Sequence, residues 1–330
     1  MDQADDLRHQ RVAQVRMKVV IVGAGMSGLV AATELAAAGV EVTVVDKGRS
    51  VGGRLATRRI GDARLDHGAQ FFTARTPAFQ RRIDDWEARE LVHVWNHGFE
   101  TTQGDGHPRY VATNGMNSLA KDLATGLDVE TSTMAFAVRP GDDGRRWQLT
   151  IDDGTARSAD AIILTSPLPQ TFALLLDSGT DLENSPLRTD YHRTIGLLAT
   201  LDGPSAIPAP GGVQDGDAVF SFIGDNQSKG VSPTPAVTFH ASNEWSQEHW
   251  NDDDQLLELL TEAAQPWLGE SAIVEAQVKK WRLAAPMTIW DDPTWSTSDG
   301  TIVLAGDAFA GPKVEGAHNS GLAAAHSLLA

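Results

Sequence analysis

Val19-Val20-Ile21-Val22-Gly23-Ala24-Gly25-Met26-Ser27-Gly28 is the stretch on which the fold turns. Its first four residues form a continuous β-branched run, the pattern of a strand buried on both faces of a parallel sheet. Glycines at 23, 25 and 28 follow at once. Leu29 to Ala38 is then an alanine-rich helical stretch that Gly39 can close in a left-handed cap. A second strand, Val42-Thr43-Val44-Val45, delivers Asp46. In this order the glycines let the chain turn tightly, let backbone amides approach a diphosphate and let the helix pack on the strand. Asp46, 18 residues after Gly28, can accept from ribose hydroxyls. The pattern predicts a dinucleotide site on a Rossmann-type α/β fold, without separating NAD from FAD.

Immediately downstream, Lys47-Gly48-Arg49-Ser50-Val51-Gly52-Gly53-Arg54 adds a diglycine and an arginine. The diglycine permits close backbone approach, and a guanidinium fork can hold a phosphate or a polar flavin edge through two parallel bonds. From Lys47 to Arg89 ten basic residues face five acidic ones, while the whole chain carries −17 and has a pI near 4.9. An anion site is expected in this basic island. Over the rest of the exterior the negative balance repels phosphate backbones, so nucleic acid is excluded as the expected partner.

The chain has 330 residues, room for about two domains, and no cysteine. That rules out disulfides, iron–sulfur clusters, thiolate zinc sites, a cysteine nucleophile and a flavin tethered through sulfur. Met1 to Met17 alternates acidic and basic side chains without an apolar segment, and Val19 to Ala32 is too short and too interrupted to span a bilayer. A cytoplasmic protein without membrane segments is expected. His93 and His97 at four-residue spacing lack a third ligand, and the Asn251 to Asp254 run lacks the glycine and glutamate of a calcium loop, so no metal is expected.

At the far end, Thr301-Ile302-Val303-Leu304-Ala305 reads as a buried strand running into Gly306-Asp307. Val314-Glu315-Gly316-Ala317-His318-Asn319-Ser320-Gly321 would then open a last helix, Leu322 to Leu329. The positive end of such a helix, aimed at a flavin, would stabilise the charge that appears on reduction.

Together these blocks resemble the FAD-dependent amine oxidase superfamily. Leu65-Asp66-His67-Gly68-Ala69-Gln70-Phe71-Phe72-Thr73, Asn114 to Leu119, Asp160 to Pro169, Phe239-His240-Ala241-Ser242, Lys280-Trp281-Arg282 and Val314 to Ala317 resemble its renalase-like branch. The likeness runs from Met17 onward. His67 and the residues ahead of Met17 depart from the branch's pattern.

The resemblance implies noncovalent FAD. Gly23, Gly25, Ser27 and Gly28 would lie near the diphosphate, Asp46 and Lys47 toward the adenosine ribose, and Gly53 and Arg54 on the phosphate or flavin edge. Ala69, Gln70 and Phe71 would lie beside the isoalloxazine. Met134, in an expected strand Val129 to Val138, would touch adenine. Gly306, Asp307, Glu315, Gly316 and Ala317 would close the ribityl and flavin side. His240, Gln70 and Trp281 are the implied catalytic residues. The implied reaction oxidises 2- or 6-dihydro isomers of NAD(P) to NAD(P)+ and reduces dioxygen to hydrogen peroxide. Amine oxidation, and flavin binding without turnover, stay open as alternatives.

A discontinuous FAD-binding domain of residues 17–76, 110–166 and 296–330 is expected. A second α+β substrate domain, residues 77–109 and 167–295, would be built on an antiparallel sheet, and 1–16 would form an N-terminal extension. Strands are expected at Ile195 to Leu201, Ala218 to Asn226, Ala236 to Ser242 and Ile273 to Leu283, with a helix at Asp254 to Gln265 and a surface loop over Gly203 to Gly216. Period-two alternation places Thr238 and His240 on one face and Val237, Phe239 and Ala241 on the other. Lys279 and Lys280 read as solvated. Of Trp245, Trp250, Trp281, Trp290 and Trp295, most read as core.

Overall fold

The β-branched run forms the strand Lys18–Val22 in a computed structural model that describes residues 16–99, 106–183, 185, 189–309 and 311–330. The expected extension 1–16 lies outside the described residues except for Arg16. The strand sits inside a six-stranded sheet of order Trp295–Ser296, Ile302–Leu304, Ala161–Leu164, Lys18–Val22, Glu41–Val45, Asp128–Glu130. Every neighbouring pair is parallel but the first.

The absence of alternation in the run now has its physical reason. Val19 and Ile21 turn to one face, against Leu29, Val30, Ala324 and Ala325. Val20 and Val22 turn to the other, against Trp147, Leu149 and Leu168. Helices Met26–Ala37 and Lys313–Leu329 cover the first face, and the antiparallel strands Ala135–Pro140, Trp147–Ile151 and Ala156–Ala159 with helix Leu168–Leu175 cover the second. Each fully buried aliphatic side chain contributes about 1.5–3 kcal/mol. Phe79, Ile83 and Trp86 of helix Pro77–Ala88 share the first core.

Helix Met26–Ala37 ends as its sequence requires. Gly39 has φ +84°, its amide donates to the Ala36 carbonyl, and the Val40 amide donates to that of Leu35. This is the paired-bond left-handed cap that only glycine adopts without a steric penalty.

The second sheet is antiparallel, of order Gly212–Gln214, Phe220–Asp225, Ala236–Ala241, Tyr191–Leu201, Ile273–Pro286. Ile195, Leu197, Val237 and Phe239 pack with Leu256, Leu260 and Ala264 of helix Leu256–Ala264. On the opposite face, Leu198 and Ala236 join Ile60, Ala63 and Leu65 of the hairpin Thr57–Ile60 and Ala63–Asp66. This hairpin covers that face of the five-stranded sheet.

Three expectations are corrected. The last helix begins at Lys313 after Pro312, so Val314 to Gly321 is inside it rather than ahead of it. Proline preceding a run of good helix formers sets this start. Val129 to Val138 is two strands, Asp128–Glu130 and Ala135–Pro140, broken at Ser132, which has φ +54°. The Gly203 to Gly216 loop contains the edge strand Gly212–Gln214.

Candidate functional site

Gly23, between strand and helix, has φ +109°. A Cβ on Gly28 would lie 1.9 Å from the Gly23 carbonyl oxygen, so this glycine permits the helix to approach the turn. Gly25 is different: a Cβ there would meet nothing within 4 Å. The open side of the loop is therefore at Gly25, where a ligand would approach.

Asp46 fastens this loop. Its carboxylate accepts from the Ala24 amide at 2.7 Å and the Gly48 amide at 2.6 Å. The Gly52 amide donates to the Ala24 carbonyl at 2.8 Å, and a Cβ on Gly53 would stand 3.6 Å from the Gly25 Cα. The two glycine motifs, apart in sequence, thus form one cradle.

Ser27, in the first turn of helix Met26–Ala37, has a buried hydroxyl without a hydrogen-bond partner. A buried unpaired hydroxyl is costly, and a diphosphate at the positive end of this helix would satisfy it. An orphaned hydroxyl, open glycine and converging amides fit the diphosphate of a dinucleotide cofactor.

The chain's other end closes on this cradle. Arg54 donates from both terminal nitrogens to the two carboxylate oxygens of Asp307, at 2.6 and 2.7 Å, and reaches the Ala284 carbonyl at 3.4 Å. Gly306, with φ +140°, donates its amide to Ser320 Oγ at 2.9 Å. The Ala69 amide donates to the Arg54 carbonyl, so the glutamine segment is built directly onto the arginine.

Gln70 is buried and fully engaged. Its Nε2 donates to the carbonyls of Asp66 (2.6 Å) and Gly68 (3.2 Å), while its Oε1 accepts from Lys229 Nζ (3.2 Å). Lys229 is fully buried, 3.5 Å from Asp66 and over the Trp95 ring. Burial pulls this ammonium below its ordinary range and Asp66 opposes the shift. Asp66 also accepts from Thr57 Oγ1 and the Met116 amide.

His240 and Trp281 converge on one atom, the carbonyl oxygen of His67. Trp281 Nε1 donates to it at 2.7 Å and His240 Nε2 at 3.2 Å. The rings of His67 and Trp281 are stacked, with centroids 5.4 Å apart. Burial, then the positive charges of Lys279 and Arg58, lowers His67 to about 4; burial likewise lowers His240 to about 4. Both imidazoles are neutral near pH 7. Thr238 lies on the face of His240, as the alternation predicts, and donates to the Asp66 carbonyl.

The other expected residues make the following contacts. Glu315 accepts from the amides of Arg75 and Thr76 and from Thr76 Oγ1, at the start of helix Pro77–Ala88. Gly316 is where the loop at Gly311 crosses the last helix, a Cβ lying 1.6 Å from the Gly311 oxygen, and Ala317 packs on the first core. Met134 is 45% exposed, with its carbonyl accepting from the Asp152 amide. Lys47 is exposed and reaches Gln170. Phe71 belongs to an aromatic group with Trp95, Phe99 and Phe222. Lys280, read as solvated, reaches Asp253 at 2.8 Å and the Trp250 carbonyl.

Sequence reasoning missed His67 and Lys229. His67 carried a signal, a histidine next to the motif's Asp66. Lys229 lies in a polar turn with nothing in its neighbours to mark it as buried.

Among the described residues no helix is long and apolar enough to cross a membrane. The family described as NAD(P)-binding Rossmann-like domain matches residues 21–86, and flavin containing amine oxidoreductase matches 83–329. Renalase of Mus musculus is 27% identical over 168 residues, 48% of this chain and 49% of the mouse protein, so the alignment takes in about half of that relative. Two solved structures share the fold. One, from Exiguobacterium and provisionally assigned as a protoporphyrinogen oxidase, has a TM-score of 0.72 and 15% identity, covering 94% of this chain and 98% of that one. The other, putrescine oxidase bound to putrescine, has a TM-score of 0.69 and 16% identity, covering 96% and 99%. With its glycine cradle, its Arg54–Asp307 closure and a family match over most of its length, the chain belongs to the flavin containing amine oxidoreductases and is an FAD-dependent oxidoreductase.

Proposed function

We propose that this enzyme oxidises 2- or 6-dihydro isomers of NAD(P) to NAD(P)+, with dioxygen as the final acceptor. The observation that carries the reading is the His67, His240 and Trp281 group. It offers a flat aromatic stack and neutral hydrogen-bonding rings, and the buried carboxylate beside it, Asp66, is already taken by Thr57, Met116 and Lys229. An ammonium substrate would find no free counter-charge there, whereas a dihydropyridine needs a planar, uncharged surface. The renalase-like resemblance and the mouse relative support the same reading.

The bound flavin supplies the acceptor: a hydride leaves the dihydropyridine ring, and dioxygen then takes both electrons with two protons to give hydrogen peroxide. The chain's own residues position the donor. Trp281 and His67 would stack on the ring. Neutral His240, its Nε2 hydrogen committed to the His67 carbonyl, leaves Nδ1 as an acceptor and adds no charge opposing the cation that forms as hydride departs. Arg54, fixed by Asp307, and Ser27 with the Gly25 and Gly53 amides would hold the cofactor.

Anaerobic mixing of the holoprotein with isomeric dihydronicotinamide dinucleotides, ordinary β-NADH and a panel of amines tests this. Rapid flavin bleaching by the isomers is expected; bleaching by amines alone would replace the reading with amine oxidation.

We further infer the two-domain division. Its support is that the six-stranded sheet draws its strands from 17–76, 110–166 and the segment near 296–330, while the five-stranded sheet lies within 167–295. A cytoplasmic enzyme goes with this reading, and cell fractionation would check it.

A further inference from the structure

On strand Ile273–Pro286, Gln277, Lys279 and Trp281 share one face, two residues apart, and so form a row with about 7 Å between successive members. Trp281 is the member stacked on His67. Gln277 accepts from Arg58 Nε at 3.1 Å, which brings that guanidinium alongside the row from the hairpin. Lys279 stands between them, opposite Gly196, where the neighbouring strand has no side chain to cover it.

Two basic groups meet here. Lys279 is held below its ordinary range by burial and then by repulsion from Arg58 and Arg49. The same Lys279 and Arg58 act on His67. Neither Lys279 nor Arg58 forms an ion pair with a described residue, whereas Arg54 and Arg89 of the same basic island are paired with Asp307 and with Asp85 and Asp122. The carboxylate on the same strand face, Glu275, is bonded to the Gln277 amide nitrogen. Two cations without an ion-pair partner beside a substrate platform repel one another unless an anion joins them.

We propose that Lys279 and Arg58 form a subsite for the diphosphate of the substrate, one ribose length from the ring that stacks at Trp281 and His67. This rests on the dinucleotide reading and names how such a substrate is held at its non-reacting end. An enzyme for small neutral or cationic amines would gain nothing from this charge. The Arg58 guanidinium can offer its terminal nitrogens to phosphate oxygens, and the Lys279 ammonium adds a point charge.

The test uses the FAD-loaded full chain and ADP-ribose, which carries the diphosphate but no nicotinamide, with binding followed by calorimetry and by the perturbation of flavin absorbance. Wild type is expected to bind, more weakly as salt rises. Lys279→Gln should weaken binding about tenfold and Arg58→Gln with Lys279→Gln by about a hundredfold, with flavin content unchanged. Arg139→Gln, which removes an exposed cation elsewhere, should leave it alone. No ADP-ribose binding by wild type, or equal binding by wild type and the double variant, would overturn the subsite. Binding that follows these expectations while isomeric dihydronicotinamides fail to bleach the flavin would retain the anion subsite and reject the proposed substrate ring instead.

Discussion

At the residue scale, two glycines six residues or fewer from the first strand do opposite jobs, and substitution separates them. Gly28→Ala forces a methyl to within 1.9 Å of the Gly23 oxygen, so the fold itself should lose several kcal/mol. Gly25→Ala meets open space at an ordinary φ of −84°. Its flavin-free form should melt within about 1 °C of wild type, while FAD affinity falls about tenfold or more because the methyl occupies the diphosphate's approach. Calorimetry of the stripped protein, followed by FAD titration, reads both quantities.

The histidines give a pH dependence with a definite sign. His67 and His240 titrate near 4 in the folded chain and near 6.5 when unfolded. Their contribution is complete above 6.5 and is lost as pH falls from 6.5 toward 4, because only the unfolded chain takes up those protons. Urea midpoints should decline over that window, and His240→Gln should decline less steeply.

At the element scale, the last helix serves the fold as much as the cofactor. Glu315 gathers the amides of Arg75 and Thr76 at the start of helix Pro77–Ala88, so Glu315→Ala should cost about 1–2 kcal/mol through that cap. Flavin affinity of the variant should change little, a direct contrast with Gly25→Ala. Gly321→Ala would bring a methyl to 2.3 Å from the Ser27 oxygen and wedge two packed helices apart, lowering stability and flavin retention together.

Which of these elements could be read in advance follows from where their information lies. The strand, glycine turn, helix and left-handed cap from Val19 to Val40 are local patterns, and all were legible. The alternation that set Thr238 and His240 together was equally so, since a strand's period fixes its faces. The role of Glu315 was not legible, because its partners at Arg75 and Thr76 are about 240 residues away in sequence and no local spacing records them. Lys229 was hidden for the same reason: its burial depends on Asp66, Gln70 and Trp95 arriving from other elements. His67 was visible but read as a departure from a pattern, since the stacking of its ring on Trp281 joins residues 214 positions apart that no local spacing records.

At the scale of the whole molecule, the Arg54–Asp307 pair joins segments 253 residues apart at the mouth of the cradle. Arg54→Ala leaves Asp307, only 12% exposed at its side chain, without its fork, and should cost about 1–3 kcal/mol together with weakened FAD retention. Arg54→Lys should recover part of this, as an ammonium restores charge but not the two parallel bonds. Thermal unfolding with and without added FAD measures both effects.

The cradle's existence is the claim on which the chemistry depends. The most direct measurement is the absorption spectrum of the purified full chain before and after acid precipitation. A yellow protein whose colour passes into the supernatant as FAD, close to one flavin per chain, is the predicted result. A colourless chain that takes up no added FAD would contradict it.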